Sequence, residues 1–299
     1  MICKLTRTLG LLVALAFTAG CADTPPPQKT GEDPQIRVLT TISTFNSIVA
    51  GVGGRRVRVD SLVPVGASAE DYQPTPADIE KLSKADVLVE NGLGLEAWLT
   101  RTVDNAKNER LRVVIASAGL PHKGNNPHLW MDPELGRGYV RNIRDALIAQ
   151  EPRSKKLFVA NAAATDDRLK RLEREISGQI DTIPPPSRAM IIFHNAFEYY
   201  NDRFGIRTIG AIELSPGQEP NPQYINNLVR LARENHVRAI FSEPEYSPKL
   251  ARALAESAGI KTVDNLYDDS IGTDPLVRGY ESMLRYDTRV IVAALGGRP

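Results

Sequence analysis

Four residues spread along the chain, Glu70, His128, His194 and Asp269, offer two imidazoles and two carboxylates. These are donor types that hold a divalent transition metal. His128 lies in the run NPHLWMDP, residues 126–133. It follows a proline, precedes a tryptophan and leads into Asp132-Pro133, a helix-start signal. The aspartate can cap, and the proline fits a first-turn position whose N–H would be unpaired anyway. A histidine on a stiff loop between an apolar run and a helix is held rigidly without joining the packed core, which suits a ligand. Each candidate also has a plainer reading. A lone histidine is more often packed or solvated than ligating. His122 and His236 keep that reading, and His236 ends a predicted helix, where a cation suits the dipole. Asp71 follows Glu70 and Asp268 precedes Asp269, so in each pair either carboxylate could ligate, or both could be solvated. Glu243 and Glu245 form a further acidic pair, in a Glu-Pro-Glu setting with no histidine partner in sequence. Four protein ligands leave little room for a substrate water, and no HExxH motif is present, so a metalloenzyme is not expected.

The elements that must position these residues alternate. Beta-branched and apolar runs at 36–41, 57–63, 87–90, 111–116, 189–193, 208–212, 239–242 and 261–263 have the length of strands. Helical spacing or capping signals mark 45–52, a start at Thr75-Pro76-Ala77-Asp78, 96–108, a start at Pro133, and then 196–204, 222–235, 248–258 and 276–295. This alternation argues for parallel α/β sheets. The segment 152–183 has no glycine before Gly178 and no proline between Pro152 and Pro184, and is rich in Ala, Leu, Lys, Arg and Glu. It predicts one helix of about 28 residues, about 42 Å long, stopped by Pro184-Pro185-Pro186. That length suits a strut joining two lobes. The fold expected is two parallel-sheet α/β lobes, 36–151 and 184–299, joined by the helix 152–183, with the metal site in the cleft. All four candidate ligands fall beyond the carboxyl ends of predicted strands, two from each half, where open α/β sheets bind ligands. No residue-level internal repeat is present, but the two halves share an architecture.

The first twenty residues read as a secretory signal: Lys4 and Arg7, then an apolar run at 9–19 too short to span a bilayer. Thr18-Ala19-Gly20-Cys21 is similar to a bacterial lipobox, with threonine where leucine is usual. Of the 2 cysteines, Cys3 leaves with the signal and Cys21 is left without an internal partner, which fits a lipidated mature N-terminus. Residues 21–35, with Pro25-Pro26-Pro27, read as a flexible tether. Removing the signal takes away Lys4 and Arg7 and no acid, turning a net charge of +1 into −1. No basic field exists to attract nucleic acid.

From about residue 36 onward the chain resembles the metal-binding lipoproteins of bacterial manganese and zinc ABC importers, the cluster A-I solute-binding proteins. Six stretches carry the resemblance: VPVGASAEDYQPTPADI (63–79), GLGLEAWL (92–99), NPHLWMDP (126–133), FHNAFEYYNDRFGI (193–206), GQEPNPQYI (217–225) and YDDSIG (267–272). The resemblance implies two α/β lobes on one long backbone helix, with His128, His194 and Asp269 at ligand positions. It also implies an exported, non-catalytic protein, periplasmic or extracytoplasmic and lipid-anchored to the membrane through Cys21. An ABC permease and its ATPase would be the partners, and a monomer is expected. One departure matters: the family usually has Asp-Pro-His before the tyrosine of the first motif, and here Ser68-Ala69-Glu70 stands there. Glu70 is expected to replace the histidine as an oxygen ligand. The expected cargo is Mn2+ or Zn2+, with Fe2+ next, and manganese is favoured because only His122 stands where zinc importers carry a histidine-rich loop. The rival readings are a carrier of a larger chelated-metal ligand, for which Tyr72, Trp130 and Tyr199 speak, and a metal-free adhesin-like lipoprotein.

Overall fold

Eight short strands form two separate four-stranded sheets, every pairing parallel. The computed structural model describes residues 35–214 and 217–298. The signal segment, Cys21 and the tether up to residue 34 lie outside the described residues. The first sheet holds β1 (Ile36–Thr40), β2 (Val57–Ser61), β3 (Val87–Glu90) and β4 (Arg112–Ile115) in the order β2-β1-β3-β4. The second holds β5 (Ala189–Ile192), β6 (Arg207–Ala211), β7 (Ala239–Phe241) and β8 (Lys261–Val263) in the order β6-β5-β7-β8. The second order repeats the first, so the halves share a topology as well as an alternation. Central strands β5 and β7 are buried at every residue. That is why they read as unbroken apolar runs rather than alternating ones.

The crossovers are helical: α1 (Asn46–Gly53), α2 (Pro76–Lys84), α3 (Leu99–Ala106) and α4 (Pro133–Gln150) in the first lobe, then α6 (Glu198–Phe204), α7 (Pro222–Glu234), α8 (Lys249–Ala258) and α9 (Tyr280–Leu295) in the second, with α5 (Lys155–Ile180) between the two groups. At 26 residues α5 is about 39 Å long at 1.5 Å per residue. It packs on α1 and α4 of one lobe and on α6 and α9 of the other. Its buried side chains, Phe158, Ala162, Thr165, Leu169, Leu172, Ile176 and Ile180, lie three or four residues apart and make one stripe.

Three helices start three or four residues later than the sequence pattern suggests. The segment 152–154 is a separate 3-10 turn before α5. Residues 96–98 are turn rather than helix, because the Glu96 carboxylate accepts from Asn91 N (2.8 Å), Gly92 N (3.2 Å) and Thr41 Oγ1 (2.6 Å) instead of facing solvent. Residues 275–277 form their own 3-10 turn, and α9 begins only after Gly279.

One hydrophobic core runs through both lobes. It includes Phe45, Trp130 and Tyr139 from the first and Met190, Tyr200 and Tyr280 from the second. Phe45 packs edge-on against Trp130 at 5.4 Å, and the Tyr280 hydroxyl donates to the Trp130 carbonyl. Tyr280 reaches that carbonyl by passing over Gly136 of α4, where an added Cβ would lie 2.3 Å from its hydroxyl oxygen. Overpacking of this kind costs about 1–3 kcal/mol. Gly136→Ala should therefore lower stability by about that amount in urea unfolding, read as a lower midpoint with unchanged slope.

Candidate metal centre

Each candidate ligand is held at a strand's carboxyl end by its own local device. The loop after β2 carries Glu70. It is pinned by Trp98, whose indole N–H donates to the Ala69 carbonyl (2.8 Å). The next turn is fixed by Asp78 at the start of α2, whose Oδ2 accepts from Thr75 N (2.8 Å), Thr75 Oγ1 (2.7 Å) and the Tyr72 hydroxyl (2.8 Å). The loop after β4 carries His128 and runs into α4, capped as its sequence suggests: Pro133 opens the helix and Asp132 accepts from Glu134 N at 2.8 Å. Arg203 of α6 also grips Asp132 through Nε (3.0 Å) and Nη2 (2.8 Å), tying that cap to the second lobe. His194 stands two residues past β5. The loop after β8 carries Asp269, and the carbonyl of its neighbour Asp268 accepts from Trp130 Nε1 (3.1 Å) and Thr44 Oγ1 (2.9 Å) of the first lobe.

The four side chains converge. His128 Nε2 lies 3.5 Å from Asp269 Oδ1 and 4.0 Å from Glu70 Oε1. The His128 and His194 rings are 5.1 Å apart. One donor atom each from His128, His194 and Asp269 lie within 4.8 Å of one another. His128 and Asp269 are 3% exposed and His194 is 6%. His128 Nε2, both His194 nitrogens and Asp269 Oδ1 are buried without a hydrogen-bond partner. Donor atoms buried and unpaired are expensive unless something satisfies them. Glu70 opens into a cavity of about 310 Å³ that His128 and His194 also line. Asp71, the alternative to Glu70, is exposed. His122 and His236 are exposed too, His236 just past the end of α7.

The tautomer of His128 follows from its neighbours. The Asn126 amide donates to the Asn195 carbonyl and to Glu198 Oε2, each at 2.8 Å, and these partners only accept. Its Oδ1 must then face His128, where it accepts from the backbone N–H (3.0 Å) and from Nδ1 (2.9 Å). Nδ1 therefore carries the proton and Nε2 offers its lone pair to the cleft, the usual arrangement when an outer partner orients a ligating histidine. Sequence reasoning missed Asn126, although it sits two residues before the histidine it aims.

Burial, with Asp269 adding its charge, pushes the Glu70 carboxyl up to about 7. Burial lowers His128 below the ordinary histidine value, despite Asp269 beside it. Burial also disfavours the charged form of His194, but Asp268 and Glu243 outweigh it and hold that imidazole well above its usual value. Asp269 is held low against burial by its contact with His128. Burial drives Asp268 strongly upward.

Two further acids belong to the cleft. Glu243 Oε2 lies 3.6 Å from His194 Nδ1, and Asp268 Oδ2 lies 3.5 Å from His194 Nε2. The Glu-Pro-Glu run thus does have a histidine partner, contrary to the sequence reading. That partner is 49 positions away and arrives only because β7 pairs beside β5.

Two lobes with repeated topology, a shared backbone helix and unsatisfied imidazole and carboxylate donors between them define a metal-binding solute-binding protein. The chain belongs to the family described as zinc-uptake complex component A, periplasmic, whose pattern matches residues 38–294. It is 30% identical over 298 residues to the manganese-binding lipoprotein MntA of Halalkalibacterium halodurans, covering 98% of this chain and 99% of the relative. It is 29% identical over 305 residues to the iron-binding protein YfeA of Yersinia pestis, covering 97% and 96%. The Mn-bound periplasmic metal binding protein of Candidatus Liberibacter asiaticus superposes with a TM-score of 0.78 at 26% identity, covering 87% of this chain and all of the other.

A cation held by these donors competes with protons. A carboxyl raised to about 7 is protonated below that pH, so acidification through 7 removes Glu70 as an anionic donor. Metal affinity should therefore fall as pH drops through 7. Binding near neutrality should release protons, seen as calorimetric heats that vary with the ionisation enthalpy of the buffer.

Proposed function

We propose that this protein is the binding component of an ABC importer, which captures a divalent transition metal outside the cytoplasmic membrane and hands it to the permease and its ATPase. The observation that carries this reading is the convergence of buried, unpartnered donors from His128, His194 and Asp269. Glu70 supplies a fourth donor from the cleft mouth, in place of a histidine. The names of the relatives support the same class of cargo, manganese for one and iron for another.

The chain acts as a carrier, not a catalyst: four protein donors around one ion leave little room for an activated water. A larger chelated-metal ligand fits less well. The cavity of about 310 Å³ is near the lower limit for small-molecule sites. The aromatic residues that could have gripped a chelate are otherwise engaged. Tyr72 bonds Asp78, Trp130 is fully buried, and the Tyr199 hydroxyl is taken up by Asn126 O and Lys123 N.

Two imidazoles and two carboxylates without sulfur suit the harder manganese ion, and bidentate carboxylates can raise its coordination number. Zinc outbinds manganese at nearly any such site, so manganese is assigned as the cargo in the cell, not as the tightest ligand in a tube. The mature protein begins at Cys21, is anchored by lipid there, and works as a monomer, with residues 36–151 and 184–299 as lobes and 152–183 as the linking segment. Mass spectrometry of membrane-extracted protein should find diacylglyceryl-cysteine at Cys21.

Replacing His128 or His194 with Ala should weaken metal binding by more than the roughly 10–100-fold that loss of an outer partner costs. It should also abolish metal-induced thermal stabilisation, while His122→Ala and His236→Ala do neither. Equal effects from all four substitutions would reject the ligand set. Deleting the gene should lower cellular manganese, with growth restored by added manganese; loss of zinc alone would overturn the choice of cargo. Glu70→His should raise zinc affinity more than manganese affinity.

A further inference from the structure

The two histidines of the cleft each have their own pair of carboxylates. His128 faces Asp269 and Glu70, at 3.5 and 4.0 Å. His194 faces Asp268 and Glu243, at 3.5 and 3.6 Å. Asp269 also lies within reach of His194, whereas Glu243 and Asp268 group with His194 alone. The second set is the more enclosed: Glu243 is fully buried and Asp268 is 1% exposed, whereas Glu70 lines the open cavity.

One donor atom each from His194, Glu243 and Asp268 lie within 4.8 Å of one another. Both oxygens of Glu243, Oδ2 of Asp268 and both nitrogens of His194 have no hydrogen-bond partner. Nearby, both oxygens of Glu245 and Oδ2 of Asp287 are in the same condition. Among the described residues no lysine or arginine makes an ion pair with any of these acids.

Protons alone satisfy this group poorly. A protonated carboxyl gains a donor hydrogen that itself needs an acceptor at about 2.5–3.0 Å, and the His194 nitrogens lie 3.5 and 3.6 Å away. A divalent ion can take one His194 nitrogen and one oxygen each from Glu243 and Asp268, while the other ring nitrogen keeps its proton. Nitrogen and oxygen donors sit about 2.0–2.2 Å from such an ion, so a pair of them can be up to about 4.4 Å apart. Three donors on one ion average no more than about 3.8 Å apart, so the set draws in by up to about 1 Å to hold it.

We propose that His194, Glu243 and Asp268 form a second divalent-cation position, deeper in the cleft than the first. The proposal rests on the carrier reading above and extends it. A neutral imidazole has one lone pair and serves one ion at a time. With one ion bound, His194 completes the outer site. With two, it turns to the inner pair and leaves Glu70, His128 and Asp269 on the outer ion. Two carboxylates and one imidazole make the inner position another site for a hard or borderline ion such as Mn2+. Two neighbouring dications repel, so the second equivalent binds more weakly than the first.

The test is equilibrium dialysis of the full mature protein against Mn2+ up to millimolar concentration, with metal counting and electron paramagnetic resonance. The wild type should take up a tight first equivalent and a weaker second, and the isolated-ion hyperfine pattern should broaden as the second fills. Glu243→Gln and Asp268→Asn should each stop at one equivalent and keep the isolated-ion pattern. A wild type that stops at one equivalent overturns the proposal while leaving the carrier reading intact, and this holds even if either variant fails to fold. Two equivalents retained in both folded variants overturn it as well. A wild type that binds no manganese overturns both readings.

Discussion

Carboxylates buried with only imidazoles beside them set the terms for the rest of this structure. Asp268, Asp269 and Glu243 are each at most 3% exposed and Glu70 stands close by, with only two imidazoles among them. Left free, such a group would swell apart, because like charges in a poorly solvated pocket repel strongly. The backbone prevents it. The Asp268 carbonyl is held by Trp130 and Thr44, and the Ser270 hydroxyl lies 3.4 Å from Ser43 Oγ and accepts from Gly66 N at 2.7 Å. Every one of those contacts comes from the opposite lobe. The grouping is thus retained in the folded state: protons on Glu70, Asp268 and His194 offset the repulsion in part, and a metal cation can replace them.

The same contacts limit how the cleft can respond. Asp132, capping α4, is gripped by Arg203 from α6, and Tyr280 of α9 bonds the Trp130 carbonyl. With α5 packed on helices of both lobes, a wide hinge motion would break buried hydrogen bonds and split one continuous apolar core. The loop bearing Glu70 lines the open cavity and is fixed at Gly66, which donates to Ser270 Oγ of the second lobe, at the Ala69 carbonyl and at Asp78.

Much of this was legible in the sequence, and the reasons differ from place to place. The strands were readable because parallel strands buried on both faces are written as apolar runs, as in Ala189–Ile192. Thr75-Pro76 and Asp132-Pro133 gave their helix starts because capping is local chemistry. The start of α3 was not readable, since Glu96 looks like a helix residue until the N–H groups of Asn91 and Gly92 are brought to it. Glu70, His128, His194 and Asp269 could be placed at strand ends one by one, and they do converge. Glu243 was set aside for want of a nearby histidine, because strand order, which brings β7 beside β5, is a long-range fact that no spacing reveals. Asn126 was passed over because its role depends on the Asn195 carbonyl and the Glu198 carboxylate of the other lobe, which fix its amide and so turn its Oδ1 to His128.

The cross-lobe bonds to Asp268 also bear on what a lobe is. Each sheet with its helices looks self-contained on a topology diagram. Cut the chain between them, and the Trp130 indole and the Thr44 hydroxyl would lose their acceptor, while Phe45 and Tyr139 would lose part of the wall they pack against. The halves are therefore repeats in architecture that share one apolar core, and neither keeps the whole of that core when expressed alone.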